Sequence, residues 1–285
     1  MKFSRTESEV YVPDGAEAGK ALGRTTHLGI AAHQDDLEIM AAEGILECFA
    51  RTDKWFTGVT VTNGSGSARD FDYKDYSDQA MMEVRRLEQK KAAFVGEFGA
   101  HVFLHHPSSA VKKAGDPDVA ADLAALLEAA RPEVLYTHNL ADKHDTHVAV
   151  ALRVLAACRA LPPEKRPGRV VGCEVWRDLD WLCDADKVAM AVDGHENLQA
   201  ALMGVFDSQI CGGKRYDLAT AGRRRAHATY FESHGTDRHQ LLVWGMDLTP
   251  LVKDPGLDPE AYVRAYIQRF AGEVGARIRG LSAGA

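Results

Sequence analysis

The chain lacks most of the features that mark a special class of protein. No apolar run approaches the roughly 20 residues needed to cross a bilayer, so no membrane insertion is expected. The first residues, Met1-Lys2-Phe3-Ser4-Arg5-Thr6-Glu7, lack the apolar core of a signal peptide. The five cysteines are Cys48, Cys158, Cys173, Cys183 and Cys211, an odd number with no Cys-x-x-Cys pair. That pattern supports neither a disulfide framework nor a structural zinc knot, and reduced thiols in the cytoplasm fit it best. A basic excess is also missing. Lys and Arg total 34 against 41 Asp and Glu, for a formal net charge of -7, which argues against a broad nucleic-acid or anionic-membrane surface. It leaves room for a local basic pocket.

What is present is an ordinary supply of core: 46% hydrophobic residues in 285. Strand-like and helix-like stretches alternate. Strands are expected near 26–33, 55–62, 101–105, 134–138, 170–177 and 187–192. Helices are expected near 37–50, 77–98 (with Ser77 as N-cap), 118–130, from 144 onward, and near 195–206, 217–231 and 258–278. Residues 1–24 show no strong periodicity and read as an arm or edge element. The alternation predicts an α/β fold with a Rossmann-like, mostly parallel sheet flanked by helices. No internal repeat is visible. Leu161 to Gly168 is proline-rich but short. A single domain over 1–285 is expected, with a core at about 25–160 and a C-terminal elaboration at about 169–285.

Chemistry concentrates at two strand-to-helix corners. The first is Ala32-His33-Gln34-Asp35-Asp36-Leu37-Glu38, after the apolar run His27–Ala31. The second is Thr137-His138-Asn139-Leu140-Ala141-Asp142-Lys143-His144-Asp145-Thr146-His147. Ligands of open α/β sheets bind outside the carboxyl ends of the strands, and two such corners can meet across one crevice. His144 and His147, three apart at a helix start, share a face. Histidine and aspartate suit a divalent metal such as zinc, whose catalytic sites commonly use three protein ligands.

The first corner resembles the His-Pro-Asp-Asp motif of the LmbE-like (PIG-L type) zinc-dependent de-N-acetylases, and the second resembles that family's later histidine motif. The resemblance is anchored over residues 26–150. It implies that His33, Asp36 and His147 hold Zn2+ or another divalent metal. It implies that Asp35 is the general base for the attacking water, and that His144 polarises the substrate carbonyl or protonates the leaving amine. Weaker likenesses are Arg85-Arg86-Leu87-Glu88 to an Arg-x-x-Glu signature, Thr62-Asn63-Gly64 to a Thr-x-Gly turn, and Ser208-Gln209 to a terminal Ser-Gln pair. Two residues depart from the family pattern. Gln34 replaces proline, which loosens the turn, and Thr146 stands where many members have an acid, so any carboxylate partner of His144 must be Asp142, Asp145 or another group.

The implied activity is removal of an N-acetyl group from an N-acetylglucosamine-type amino sugar or glycoside. The alternatives are a zinc amidase acting on a thiol conjugate or other small amide, and a non-catalytic metal-binding Rossmann-like module. The partner is thus a small N-acetylated sugar, with no nucleic acid, and a homo-oligomer is open. Arg85 and Arg177 are the candidate substrate contacts; Arg85 reads equally as part of a solvated face. Arg223-Arg224-Arg225 reads as a solvated helix face. His105, His106, His227, His234 and His239 read as structural or exposed, with one of them available to the pocket. The Trp176–Trp181 segment suits either a sugar-binding wall or core packing, and Asn63–Ser67 reads as a mobile active-site loop.

Overall fold

The computed structural model describes residues 2–282. Among them eight strands form one sheet: β1 (Glu9–Tyr11), β2 (His27–Ala31), β3 (Phe56–Thr62), β4 (Ala100–His106), β5 (Val134–His138), β6 (Arg169–Cys173), β7 (Val188–Ala191) and β8 (Leu242–Asp247). Their order is β1-β4-β3-β2-β5-β6-β8-β7. The five central strands are parallel, whereas β1 and β8 run antiparallel to their inner neighbours. The chain passes outward from β2 through β3 to β4, then returns to lay β5 on the other side of β2. That reversal opens a crevice beyond the carboxyl ends of β2 and β5.

The helices are α1 (Ala18–Gly23), α2 (Asp36–Met40), α3 (Ala42–Cys48), α4 (Asp78–Val95), α5 (Ser108–Lys112), α6 (Pro117–Ala130), α7 (Asp145–Ala160), α8 (Glu196–Gly204), α9 (Asp207–Ile210), α10 (Tyr216–Tyr230), α11 (Thr249–Lys253) and α12 (Pro259–Ser282). Two apolar clusters cover the two faces of the sheet. Leu28 and Ile30 of β2 point into one, with Leu126 of α6 and Val150 of α7. Ala31 points into the other, with Leu37 and Ile45 of α2 and α3 and Leu202 of α8. Burial on both faces explains why β2 reads as a continuous apolar run, whereas β3 alternates threonine with apolar residues yet is buried along its whole length.

Several sequence expectations are corrected. The helix expected over 37–50 breaks at Ala41 (φ −106°, ψ 24°) into α2 and α3. The strand expected over 170–177 ends at Cys173. No strand was expected between 231 and 258, yet β8 lies there and separates β6 from β7. The edge element foreseen in the first 24 residues is β1, paired with β4.

Two glycines set the depth of α2. A Cβ on Gly29 of β2 would fall 2.7 Å from Leu37 Cδ2, and one on Gly58 of β3 would fall 2.8 Å from Leu37 Cδ1. Leu37 therefore sits directly on the sheet backbone, which seats the first turn of α2 at the crevice.

Candidate active site and metal centre

The two corners meet where the strand order reverses. Asp36 opens α2 after β2, and His147 lies in the first turn of α7 after β5. His33 Nδ1 is 3.2 Å from His147 Nε2 and 3.2 Å from Asp36 Oδ2, and His147 Nε2 is 3.3 Å from Asp36 Oδ2. Three donor atoms thus form a nearly equilateral triangle. Tetrahedral zinc with bonds of 2.0–2.1 Å requires ligand atoms about 3.3 Å apart, so these residues fit a metal without rearrangement. The tautomer of His147 suits the task. Its Nδ1 faces Asp142 Oδ2 at 3.4 Å, a partner that favours the proton on Nδ1 and leaves the Nε2 lone pair for a metal.

His138, the last residue of β5, was not singled out from the sequence. It is fully buried and stacks on His147 with ring centroids 3.8 Å apart. Its Nε2 accepts the Ala32 backbone N–H at 2.9 Å and lies 3.5 Å from Asp36 Oδ2. With that lone pair engaged His138 buttresses the candidate ligand His147, although its position beside Asp36 and His147 also puts it within reach of a metal. Burial, with the neighbouring His147, holds its pKa well below the usual histidine value. Its signal in the sequence was only its position at a strand end, which alone does not separate it from a core histidine.

Asp35 sits beside the triangle and lines the same cavity. Its φ of 92° is left-handed, a conformation that costs a non-glycine residue of order 1–3 kcal/mol and persists only under external constraint. Helix α4 supplies the constraint. Arg85 Nη2 donates to the Gln34 carbonyl at 2.5 Å and lies 3.4 Å from Asp35 Oδ2. Gln89 Oε1 accepts the Asp35 N–H at 3.3 Å, and its amide donates to Glu38 Oε1 at 2.8 Å. The turn that Gln34 was expected to loosen is therefore held, and the Gln34 side chain is wholly buried beneath Gly64, where a Cβ would fall 2.5 Å from Gln34 Oε1.

Electrostatics divide the two adjacent carboxylates. Burial raises the pKa of Asp35 well above the ordinary aspartate value; Arg85 opposes this, and Asp36 adds to it. Burial acts on Asp36 in the same direction, but His147, His33 and His138 outweigh it and hold that carboxyl far down. Glu38, buried behind them, is pushed up to about 8.

His144 completes the rim. Its ring is 5.1 Å from that of His33 and 4.5 Å from that of His147. Burial first, and repulsion from His147 second, lower its pKa. Asp142 does not pair with this ring; its carboxylate accepts the His144 backbone N–H at 3.0 Å and faces His147. Thr146 is buried and lines the cavity, and Asp145 is exposed. Among the described residues, the His144 ring therefore lacks the carboxylate partner that the sequence left open among Asp142, Asp145 and others.

The cavity, of about 340 Å³, is walled on one side by the Asn63–Ala68 loop and on another by Trp176 and Tyr216, whose rings meet edge-on at 6.0 Å. Arg85 is buried at its base, not on a solvated face. Arg177 is a correction: it is exposed and lines no part of the cavity, because the turn after β6 sends Trp176 inward and Arg177 out. Trp181 packs against the core instead. None of His105, His106, His227, His234 and His239 enters the cavity. His106 pairs with Asp122 at 2.9 Å and His227 with Glu174 at 2.8 Å. Ser208 donates through its N–H and its hydroxyl to Glu88, both at 2.7 Å, tying α9 to α4. The solvated arginine face is corrected as well: Arg224 is buried, and Arg225 is the exposed member, paired with Glu196.

No curated protein matches the chain. Solved structures do. A conserved protein of Thermus thermophilus, TT1542, matches at 18% identity and a TM-score of 0.61, over 82% of this chain and 99% of that one. The N,N'-diacetylchitobiose deacetylase of Pyrococcus horikoshii matches at 13% and 0.62, over 81% and 86%. The 4-carboxy-2-hydroxymuconate hydratase GalB of Pseudomonas putida matches at 18% and 0.60, over 78% and 95%. At such identities the likeness establishes the fold, and the hydratase shows that this fold serves more than one chemistry. Residues 28–158, which hold both corners and α4, match the family model PIG-L, described as GlcNAc-PI de-N-acetylase. Over this segment the chain is similar to the PIG-L, LmbE-like family.

Proposed function

We propose that the protein is a zinc-dependent amide hydrolase that removes the acetyl group from an N-acetylglucosamine-type amino sugar or glycoside. The observation that carries this reading is the triangle of His33, Asp36 and His147 with a non-ligand carboxylate, Asp35, buried beside it. A site that only stored metal would have no use for a second, strained acid. The family-model match over residues 28–158 and the likeness to the chitobiose deacetylase structure support the substrate class.

Held by those three residues, the metal supplies a Lewis acid for the amide carbonyl and brings the pKa of water toward ~7. The chain does the rest. Asp35 accepts the proton of the attacking water, a role that typically contributes 10²–10⁴-fold. Arg85 opposes the burial that raises the Asp35 pKa and fixes the turn that aims it. His144 donates its ring N–H in a hydrogen bond toward the oxygen of the tetrahedral adduct. The proton that Asp35 took from the water passes to the departing nitrogen as the C–N bond breaks, so acetate and a free amine leave and Asp35 is ionised again. Trp176 and Tyr216 offer an aromatic wall for the apolar face of a sugar ring. Burial lowers the His144 pKa, which favours hydrogen-bond donation over charge as its part in the reaction. The test is acetate release from N-acetylglucosamine, its oligomers and its glycosides, with chelator and with zinc restored. Release that persists in metal-free protein overturns the reading.

A further inference from the structure

Arg224 lies on α10, outside the segment that carries the family match, yet its side chain ends on the helix that carries a metal-ligand candidate. It is 4% exposed. Its Nη2 donates to the Glu38 carbonyl at 2.7 Å and to the Ile39 carbonyl at 3.2 Å, and its Nη1 donates to Gln199 Oε1 of α8 at 2.7 Å. These hydrogen-bond partners are uncharged, and burial lowers its pKa to about 10 against the opposing pull of the Glu174 carboxylate. A buried cation with no hydrogen-bonded carboxylate is costly for stability, which makes a purely structural use of arginine here a poor bargain.

The place where it lands explains the choice. Helix α2 has five residues and stops at Ala41. Helices this short do not sustain themselves, because nucleation is unfavourable and the last carbonyls are left without intrahelical donors. A cation at a helix C-terminus satisfies those carbonyls and complements the dipole. Asp36 is the first residue of the same helix, so the tilt of α2 sets where Asp36 Oδ2 stands relative to His33 and His147. Leu37 on Gly29 and Gly58 fixes the depth of α2, and Gln89 holds Glu38 from one side. Arg224 holds the opposite end.

We propose that Arg224 is a positioning residue for the metal site, fixing α2, and with it Asp36, from the C-terminal elaboration. This rests on the assignment of Asp36 as a ligand. The experiment compares the full-length protein with Arg224→Gln, Arg224→Lys and Gln199→Ala, reading zinc affinity by chelator competition, kcat and KM on an acetamido sugar, and Tm. Leu22→Ala, a core truncation in α1, supplies a destabilised control. Zinc binding in Arg224→Gln is expected to weaken roughly 10–100-fold, with kcat reduced and KM little changed. Arg224→Lys recovers part of the loss, and Gln199→Ala shows a smaller one. Zinc affinity and kcat within twofold of the parent overturn the proposal, as does an equal zinc loss in Leu22→Ala at matched Tm. Should Arg224→Gln not fold, Arg224→Lys and Gln199→Ala decide: parental zinc affinity in both overturns it. A parent that binds no zinc refutes the ligand assignment instead, which keeps the two failures distinct.

Discussion

Replacing Asp35 with asparagine separates the base from the ligands. The exchange is nearly isosteric, and asparagine tolerates positive φ about as well as aspartate, so the backbone at φ 92° should stay in place. Alanine would add roughly 1–2 kcal/mol of left-handed strain and blur the result. The donor triangle consists of His33, Asp36 and His147; none of its atoms is touched, so zinc should remain at one ion per chain with affinity within a few-fold of the parent. What disappears is the proton acceptor. Its contribution of 10²–10⁴ corresponds to about 3–5 kcal/mol in the barrier. The loss should fall on kcat, because Asp35 holds no part of the sugar wall formed by Trp176 and Tyr216. The assay pairs acetate release with metal content on the same preparation. A zinc-loaded Asp35→Asn protein that keeps more than a tenth of the parental kcat refutes the assignment of the base. Loss of zinc refutes the separation of the two carboxylates.

Three further outcomes follow from the same geometry. His147→Ala removes one corner of the triangle from a fully buried position, so bound zinc and acetate release should both be lost, as metal analysis and the acetate assay would show; retained stoichiometric zinc excludes His147 as a ligand. Arg85 lowers the pKa of Asp35, so Arg85→Gln should move the acid limb of the kcat–pH profile upward; an unchanged limb would return Arg85 to a purely structural role. His101, fully buried in β4 with its Nε2 3.0 Å from Thr60 Oγ1, has its pKa lowered by burial to about 3. The unfolded chain, at about 6.5, then binds more protons between those values, so stability falls as pH drops through that window by about 1.4 kcal/mol per unit. Urea unfolding at pH 7 and pH 5 should show a drop smaller by up to about 2 kcal/mol in His101→Gln; an equal drop refutes the sign.

The parts legible in the sequence were those written locally. Alternating strand-like and helix-like stretches gave the central parallel strands and the helices between them, because apolar or β-branched strand segments such as His27–Ala31 and Phe56–Thr62 and amphipathic helices of period 3.6 are both local patterns. The two corners were legible because their residues lie within a few positions of a strand end. Less legible were features in which a neighbour overrides local pattern. Ala41 ends α2 where the apolar stripe runs on to Phe49. Arg85 and Arg224 sit on charge-rich helices that look solvated, yet both are buried because each reaches the backbone of the first motif. Arg177 and Trp176 are adjacent, and only the course of the chain after β6 tells which one faces the cavity.

The sequence by itself thus pointed to the α/β class through its alternating stretches and, through the resemblance of its two corner motifs to a known family, to the metal and base candidates. Tertiary structure decided whether those groups meet. His33 and His147 are 114 positions apart, and their nitrogens come within 3.2 Å because β2 and β5 are neighbours at the strand-order reversal. It also decided what holds them there, in contacts such as that of Arg224 with Glu38 across 186 positions. A side chain's environment depends on which elements pack together, and no local window of sequence contains that information.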